Sequence, residues 1–259
     1  MSAALPPAPA APPPRRIKEL TPAALEATLA ADPRLLLPVG VCEQHGPHLP
    51  LGVDTIIVER LADDLSAALG ILRAPTVEYG VNTPAGHPRR GNAGLRKKTL
   101  HRLLNDLLAA WEGCGVEEFV LLTAHRYDPH QEALATVTTT TARVRVVDVF
   151  GVQLADLLEG QHEPMHGDEV DTSLLLHLAP HLVRPERAAD YMVEREALRR
   201  FRRGERGAPR PAAGILGRPS LATADKGRRL YERLYTRIAE RVLGARVVRD
   251  DDAPPPGGG

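Results

Sequence analysis

Two hydrophobic rhythms alternate along this chain. Compact apolar runs at "RLLLPVGV" (34–41), "ILRAPTVEYG" (71–80), "EEFVLLTA" (117–124) and "VRVVDVF" (144–150) read as buried strands. Between them the spacing turns helical. "TIIVERLADDLSAAL" places Ile57, Leu61, Leu65 and Leu69 on one face, and "TLHRLLNDLLAAWEGCG" does the same with Leu100, Leu103, Leu104, Leu107 and Leu108 before a terminal glycine. "PHQEALATVTTTTA" (129–142) reads as a helix opened by Pro129, an apolar helix follows Glu169, and "TADKGRRLYERLYTRIAERVL" closes the chain with an amphipathic one. The alternation predicts an α/β fold: a single domain whose mostly parallel sheet is flanked by helices on both faces.

Composition narrows the function classes. With 33 Lys and Arg against 33 Asp and Glu, the chain has no net charge and lacks the basic footprint of a nucleic-acid binder. Two cysteines, Cys42 and Cys114, build no disulfide framework and fit a reducing, cytoplasmic setting. Cys42 beside Glu43 reads as a small buried residue rather than a nucleophile or ligand. No apolar run approaches the ~20 residues that span a bilayer. Residues 1–16, rich in Pro and Ala, read as a disordered leader, 17–247 as the folded domain, and 248–259 as a flexible tail. One stretch, "EREALRRFRRGERGAPRPAAG" (194–214), reads as a solvated helix running into a loop, or as an arginine patch facing an acidic substrate or a neighbouring subunit.

Candidate chemistry collects where parallel sheets bind ligands, beyond the carboxyl ends of strands. Glu43 and His45 stand two apart after the first strand, so in extended chain both point into one crevice while Gln44 faces away. Asp54 opens the next helix, where a cap is the structural alternative. The third strand ends in His125, followed by Arg126, Tyr127 and Asp128. A later loop brings His162, His166, Asp168 and Glu169 to a helix start, where acidic residues also suit the helix dipole. Mixed imidazole and carboxylate donors suit Zn, Mn or Fe, in number enough for two divalent metal ions. The chain has no Gly-x-Ser-x-Gly elbow, P-loop or dinucleotide fingerprint.

"PVGVCEQHGPHLPLGVDT", "MHGDEVDTSLLLHLAP" and "GILGRPSLATADKGRRLYERL" resemble, in order, three signatures of the creatininase (creatinine amidohydrolase) family. The resemblance spans about residues 17–245. It implies a dinuclear site in which one ion takes Glu43, Asp54 and His125, and the other takes His45, Asp54 and Glu169, with Asp54 bridging. It further implies a small-molecule amide or lactam substrate, attack by metal-activated water on the carbonyl, and a homo-oligomer, commonly a hexamer in the family. His166 is then the candidate general acid for the leaving nitrogen, with His48 and His87 as alternatives.

Three departures mark a divergent member. Two glycines usual in the family after the histidine are Arg126 and Tyr127 here, so bulky side chains reshape the pocket. In creatininase itself a second-metal glutamate aligns with Tyr127, which makes Tyr127 or Asp128 a variant ligand. The family's Phe-Pro-Gly-Thr turn is replaced by "HPRRGNAGLRKKTL", and Asp168 is an addition. The ligands look intact and the walls rebuilt, with His87, Arg126, Tyr127 and Asp128 as pocket candidates. Two rival readings stand beside the small-amide hydrolase. One is a peptidase of a mycofactocin-type maturation pathway; the other is a metal-binding scaffold without turnover.

Overall fold

In the computed structural model, residues 12–82, 90–203, 205 and 214–245 are described. Most of the expected leader, the tail and His87 lie outside them.

Five parallel strands form one sheet in the order β1-β3-β2-β4-β5. They are β1 (Arg15–Arg16), β2 (Arg34–Pro38), β3 (Leu72–Arg73), β4 (Glu118–Thr123) and β5 (Arg143–Asp148). The helices are α1 (Pro22–Ala31), α2 (Val53–Leu69), α3 (Lys97–Gly113), α4 (Asp128–Ala135), α5 (Glu169–Leu178), α6 (Arg195–Arg202) and α7 (Ala224–Arg241). Strand alternation sorts the core into two layers. Leu36, Val120 and Leu122 face α2, α5 and α7, where Ile57, Leu61, Leu174 and Leu234 meet them. Leu35, Leu37, Phe119 and Leu121 face α1, α3 and α4, against Leu29, Leu100, Leu104 and Leu134. Helices therefore cover both faces.

Local departures have local causes. Arg15 and Arg16, expected in the leader, form an edge strand against Leu72 and Arg73. The strand expected over 71–80 shrinks to two residues, because Pro75 has no N–H for a ladder; only a bridge from Val77 to Val39 continues it. α4 stops at Ala135, seven residues short of the expected end. Beyond it lies a β-branched run in which the Thr136 hydroxyl bonds back to the Glu132 carbonyl (2.7 Å) and the Glu112 carboxylate accepts from the amides of Thr140, Thr141 and Ala142 (2.9, 2.5 and 2.8 Å).

Candidate metal centre

β2 and β4 are neighbours, so the loops leaving their carboxyl ends open on the same crevice. The β2 loop delivers Glu43 and His45, the first turn of α2 delivers Asp54, and the end of β4 delivers His125. All four are at least 93 % buried, which for three ionisable types demands a partner or a cation. Gly52, not Asp54, occupies the cap of α2, so the Asp54 carboxylate is released from that duty.

Glu43, Asp54 and His125 each present a donor atom within 4.8 Å of the others. His125 Nδ1 lies 3.4 Å from Glu43 Oε2 and 3.3 Å from Asp54 Oδ2. His45 Nε2 approaches Asp54 Oδ2 from another side at 3.8 Å. Backbone carbonyls decide which ring nitrogens are available. His125 Nε2–H donates to the Val81 carbonyl (3.1 Å) and His45 Nδ1–H to the Glu43 carbonyl (3.1 Å). Each neutral ring therefore turns its lone pair toward Asp54, as a metal ligand oriented by an outer hydrogen bond must.

Lone pairs facing carboxylates repel unless a proton or a metal cation lies between them. Although burial opposes it, Glu43 and Asp54 raise the His125 pKa to about 9, and Asp54, Asp171 and Glu43 raise that of His45. Burial is likewise overridden at Asp54, which His45 and His125 hold at about 2. Asp54 Oδ2 is buried with no conventional hydrogen bond. Mixed nitrogen and oxygen donors converging on an orphaned carboxylate oxygen fit a divalent cation of the Zn, Mn or Fe type.

His166 closes one side. Its ring stacks on His45 with centroids 4.3 Å apart, and Nε2–H donates to the Gln44 carbonyl (2.9 Å). Burial, with His45 and His125 nearby, pushes its pKa well below the usual range, so the ring rests neutral. Gly167 makes this stacking possible. At φ +59° it adopts a left-handed turn, and a Cβ there would lie 2.6 Å from the His45 carbonyl oxygen. His48 is held away from the cluster by Thr172 Oγ1 (2.9 Å), and burial depresses its pKa to about 4.

The structure does not bring Glu169 to the cluster. Its Oε1 accepts from the Glu159 amide (3.0 Å) and from the Lys226 ammonium, and its Oε2 from the Gly160 amide (3.0 Å). Asp171, two residues on, feels His45 and Asp54 electrostatically and accepts from the Gly167 amide (2.8 Å). Burial and the neighbouring Asp168 push its carboxyl upward. Asp168 itself caps α5, accepting from Val170 and Asp171 (both 2.9 Å). Sequence reasoning passed over Asp171, although its side chain belongs to the same acidic helix start. Also missed was Asn92, whose Nδ2 lies 3.4 Å from Glu43 Oε1 while Oδ1 accepts the Gln44 amide (3.0 Å).

The rebuilt walls are partly occupied. Arg126 turns away from His125 and lies across Asp148 (3.4 Å), the Pro164 carbonyl (3.4 Å) and Glu163 (3.9 Å). It borders a cleft of about 400 Å³ that His162, Glu163 and residues 150–154 complete. From the arginine-rich stretch, Arg202 joins the same group through Glu163 (2.9 Å). Tyr127 packs into the α3–α4 layer with its ring centroid 6.1 Å from that of His125, and Asp128 starts α4. Cys42 is half-buried, its backbone bridged to Ala93. No helix among the described residues is long and apolar enough to cross a membrane.

Comparison with known proteins finds relatives over most of this length. A mycofactocin precursor peptide peptidase from Mycobacterium ulcerans is 28% identical over 223 residues, covering 81% of this chain and 84% of the relative. The creatinine amidohydrolase of Pseudomonas putida is 26% identical over 198 residues, covering 68% and 76%. A crystal structure of creatinine amidohydrolase superposes with a TM-score of 0.74 at 25% identity, covering 89% of this chain and 97% of its own. The family model described as creatininase, creatinine amidohydrolase, matches residues 18–242, which take in every strand beyond β1 and every residue of the cluster. With fold and match in agreement over that length, the chain belongs to the creatininase family of metal-dependent amidohydrolases.

Proposed function

We propose that this chain hydrolyses a C–N amide bond of a small or cyclic amide at a two-ion centre. The convergence of Glu43, Asp54 and His125 within 4.8 Å carries this reading. Glu43, Asp54 and His125 would hold one ion. Asp54 and His45 would hold the second, with Asp171 as its further carboxylate in place of Glu169, which Lys226 retains. Divalent Zn, Mn or Fe bound there would supply Lewis acidity toward the amide carbonyl and activate water at neutral pH.

His166 is the residue we assign to proton transfer. With Nε2–H fixed on Gln44, its Nδ1 would take the proton lost by the attacking water and pass it to the leaving nitrogen as the C–N bond breaks. The low proton affinity of this buried ring favours that release. Stacking on His45 holds it beside the reacting bond, and the buried walls keep bulk water out.

A peptide substrate is the second reading, favoured by the mycobacterial peptidases that match over 81–82% of this chain. The test is a screen of metal-loaded protein against creatinine, hydantoins, lactams and short peptides, with Asp54→Asn as control. Amide cleavage absent from that control supports the reading. Tight metal binding with no cleavage of any of them would favour a scaffold without turnover. The family resemblance also points to a cytoplasmic homo-oligomer, a hexamer by analogy, which light scattering would test.

A further inference from the structure

α4 does more than cover the sheet. His130, fully buried on this helix, sits edge-on to His125 with ring centroids 5.1 Å apart and planes at 84°. The Val81 amide donates to His130 Nδ1 (3.2 Å), so in the neutral ring the proton lies on Nε2. That Nε2–H donates to Thr123 Oγ1 (3.0 Å). The same hydroxyl oxygen accepts the His125 amide (3.3 Å), and His125 Nε2–H returns to the Val81 carbonyl (3.1 Å). Four residues thus close a hydrogen-bonded circuit: Val81, His130, Thr123 and His125. A backbone N–H can only donate and a carbonyl can only accept, so the backbone N–H and C=O of Val81 set the tautomers of both rings.

The neighbours reinforce the circuit. Gln131 Nε2, one residue along α4, donates to the His125 carbonyl (2.5 Å). Gly80 leaves room for the ring, since a Cβ there would fall 2.6 Å from His130 Cε1 and Nδ1. The backbone of Val81 is therefore held by two imidazoles, one aimed at the carboxylates and one facing the sheet.

We infer that His130 is a positioning residue: through Val81 and Thr123 it holds the His125 ring so that Nδ1 points at Glu43 and Asp54. This rests on the metal-centre reading above. It does not require His130 to touch an ion, and its Nδ1 and Nε2 are already committed. An apolar side chain of similar size would fill the space yet release the backbone of Val81, and the ring of His125, held by the carbonyl of the same residue, would follow. Changes to such outer partners typically weaken metal binding by about 10–100-fold.

The test compares His130→Leu, His130→Gln and Thr123→Val with the parent. Zn(II) affinity is measured by chelator competition, and folding by circular dichroism. Gln can accept from the Val81 amide with its oxygen and donate to Thr123 with its nitrogen. Expected results are a loss of about 10–100-fold for His130→Leu and Thr123→Val, and recovery to within about threefold for His130→Gln. If His130→Leu does not fold, Thr123→Val breaks the same circuit with almost no change of shape. Parental Zn(II) affinity in either folded apolar variant overturns the inference. A parent that binds no Zn(II) defeats the metal reading instead. The circuit is then read from ring nitrogen-15 shifts of His125 in metal-free protein at a pH above about 9, where the ring is neutral. These should report a single Nε2–H tautomer in the parent and a mixture in Thr123→Val; an unchanged single tautomer overturns the inference.

Discussion

The Lys226 ammonium rests on the Glu169 carboxylate across 57 residues of sequence, joining α7 to the start of α5 in a buried ion pair. Lys226 also donates to the Leu221 carbonyl (2.8 Å) and pairs with the exposed Glu159 (2.8 Å). Burial works against its charge, but Glu159 and Glu169 together raise its pKa. Glu169 is thereby a structural anion. Removing one partner of a buried pair costs about 3–5 kcal/mol, because the other charge stays behind unpaired. Lys226→Met should lower unfolding free energy by about that amount in urea titrations while metal stoichiometry stays unchanged. Glu169→Gln should also keep its metal. Loss of an ion from folded Glu169→Gln would return this residue to the metal centre.

Asp54 governs the centre itself. It faces both imidazoles, and no other carboxylate among the described residues lies within 4 Å of both His45 and His125. Asp54→Asn should abolish binding of both ions while the fold persists, as read by metal analysis of the purified variant. Asp171→Asn should weaken only the second ion. Full occupancy in Asp54→Asn would remove the bridging assignment.

Protons compete with metal at the same nitrogen. In metal-free folded protein His125 titrates at about 9, raised from 6.5 by Glu43 and Asp54 against the effect of burial. A raised folded pKa stabilises the metal-free fold fully below 6.5, and that contribution fades as pH rises through about 9. Metal entry must expel this proton, so apparent affinity should climb between pH 7 and about 9 and then level off with respect to this group. Calorimetric titrations in buffers of different ionisation enthalpy would count the proton released. Affinity independent of pH over that window would mean His125 is not a ligand.

Much of the site was legible because strand-end position and residue spacing are both local properties. Glu43 and His45 share a crevice through period-two geometry, and His125 lies where a parallel strand must end. The carboxylate we propose for the second ion, Asp171, was not legible. Glu169 and Asp171 are two apart on a helix, hence roughly 200° apart around its axis, so only one can face the crevice. Which one does so is decided by Lys226, a residue distant in sequence. The short α4 and the two-residue β3 follow from Thr136 and Pro75, signals present in the chain but outweighed there by the apolar pattern.

Outside the centre, Glu112 ties the threonine-rich turn to α3. Three backbone amides hold its carboxylate at about 2, below its ordinary 4.5. A depressed folded pKa contributes stability above 4.5 that is lost as pH falls toward about 2. Glu112→Gln should therefore lower the melting temperature at pH 7 and flatten its acid dependence between pH 4.5 and 2. Parallel melting curves for parent and variant across that range would show the turn to be held by other contacts.

Arg126 tests how far the altered loop sets specificity. A guanidinium beside the centre would suit an anionic substrate through paired hydrogen bonds, yet here it is spent inside the fold. Asp148 lies 3.4 Å away, its carboxyl raised by burial and drawn down again by this arginine. Glu163 already has Arg202 at 2.9 Å, so Asp148, left with the Phe150 amide (2.9 Å), is the partner that Arg126→Ala deprives most. The variant should lose about 1–3 kcal/mol of stability and keep its metal. Its ratio of kcat/KM for a carboxylated over a neutral amide, taken from whichever pair the screen identifies, should move by less than about threefold, since that corresponds to only ~0.6 kcal/mol of differential binding. A rise in KM confined to the carboxylated substrate, with stability unchanged, would show the opposite: the guanidinium leaves Asp148 to meet substrate, and the 400 Å³ cleft it borders is the specificity pocket.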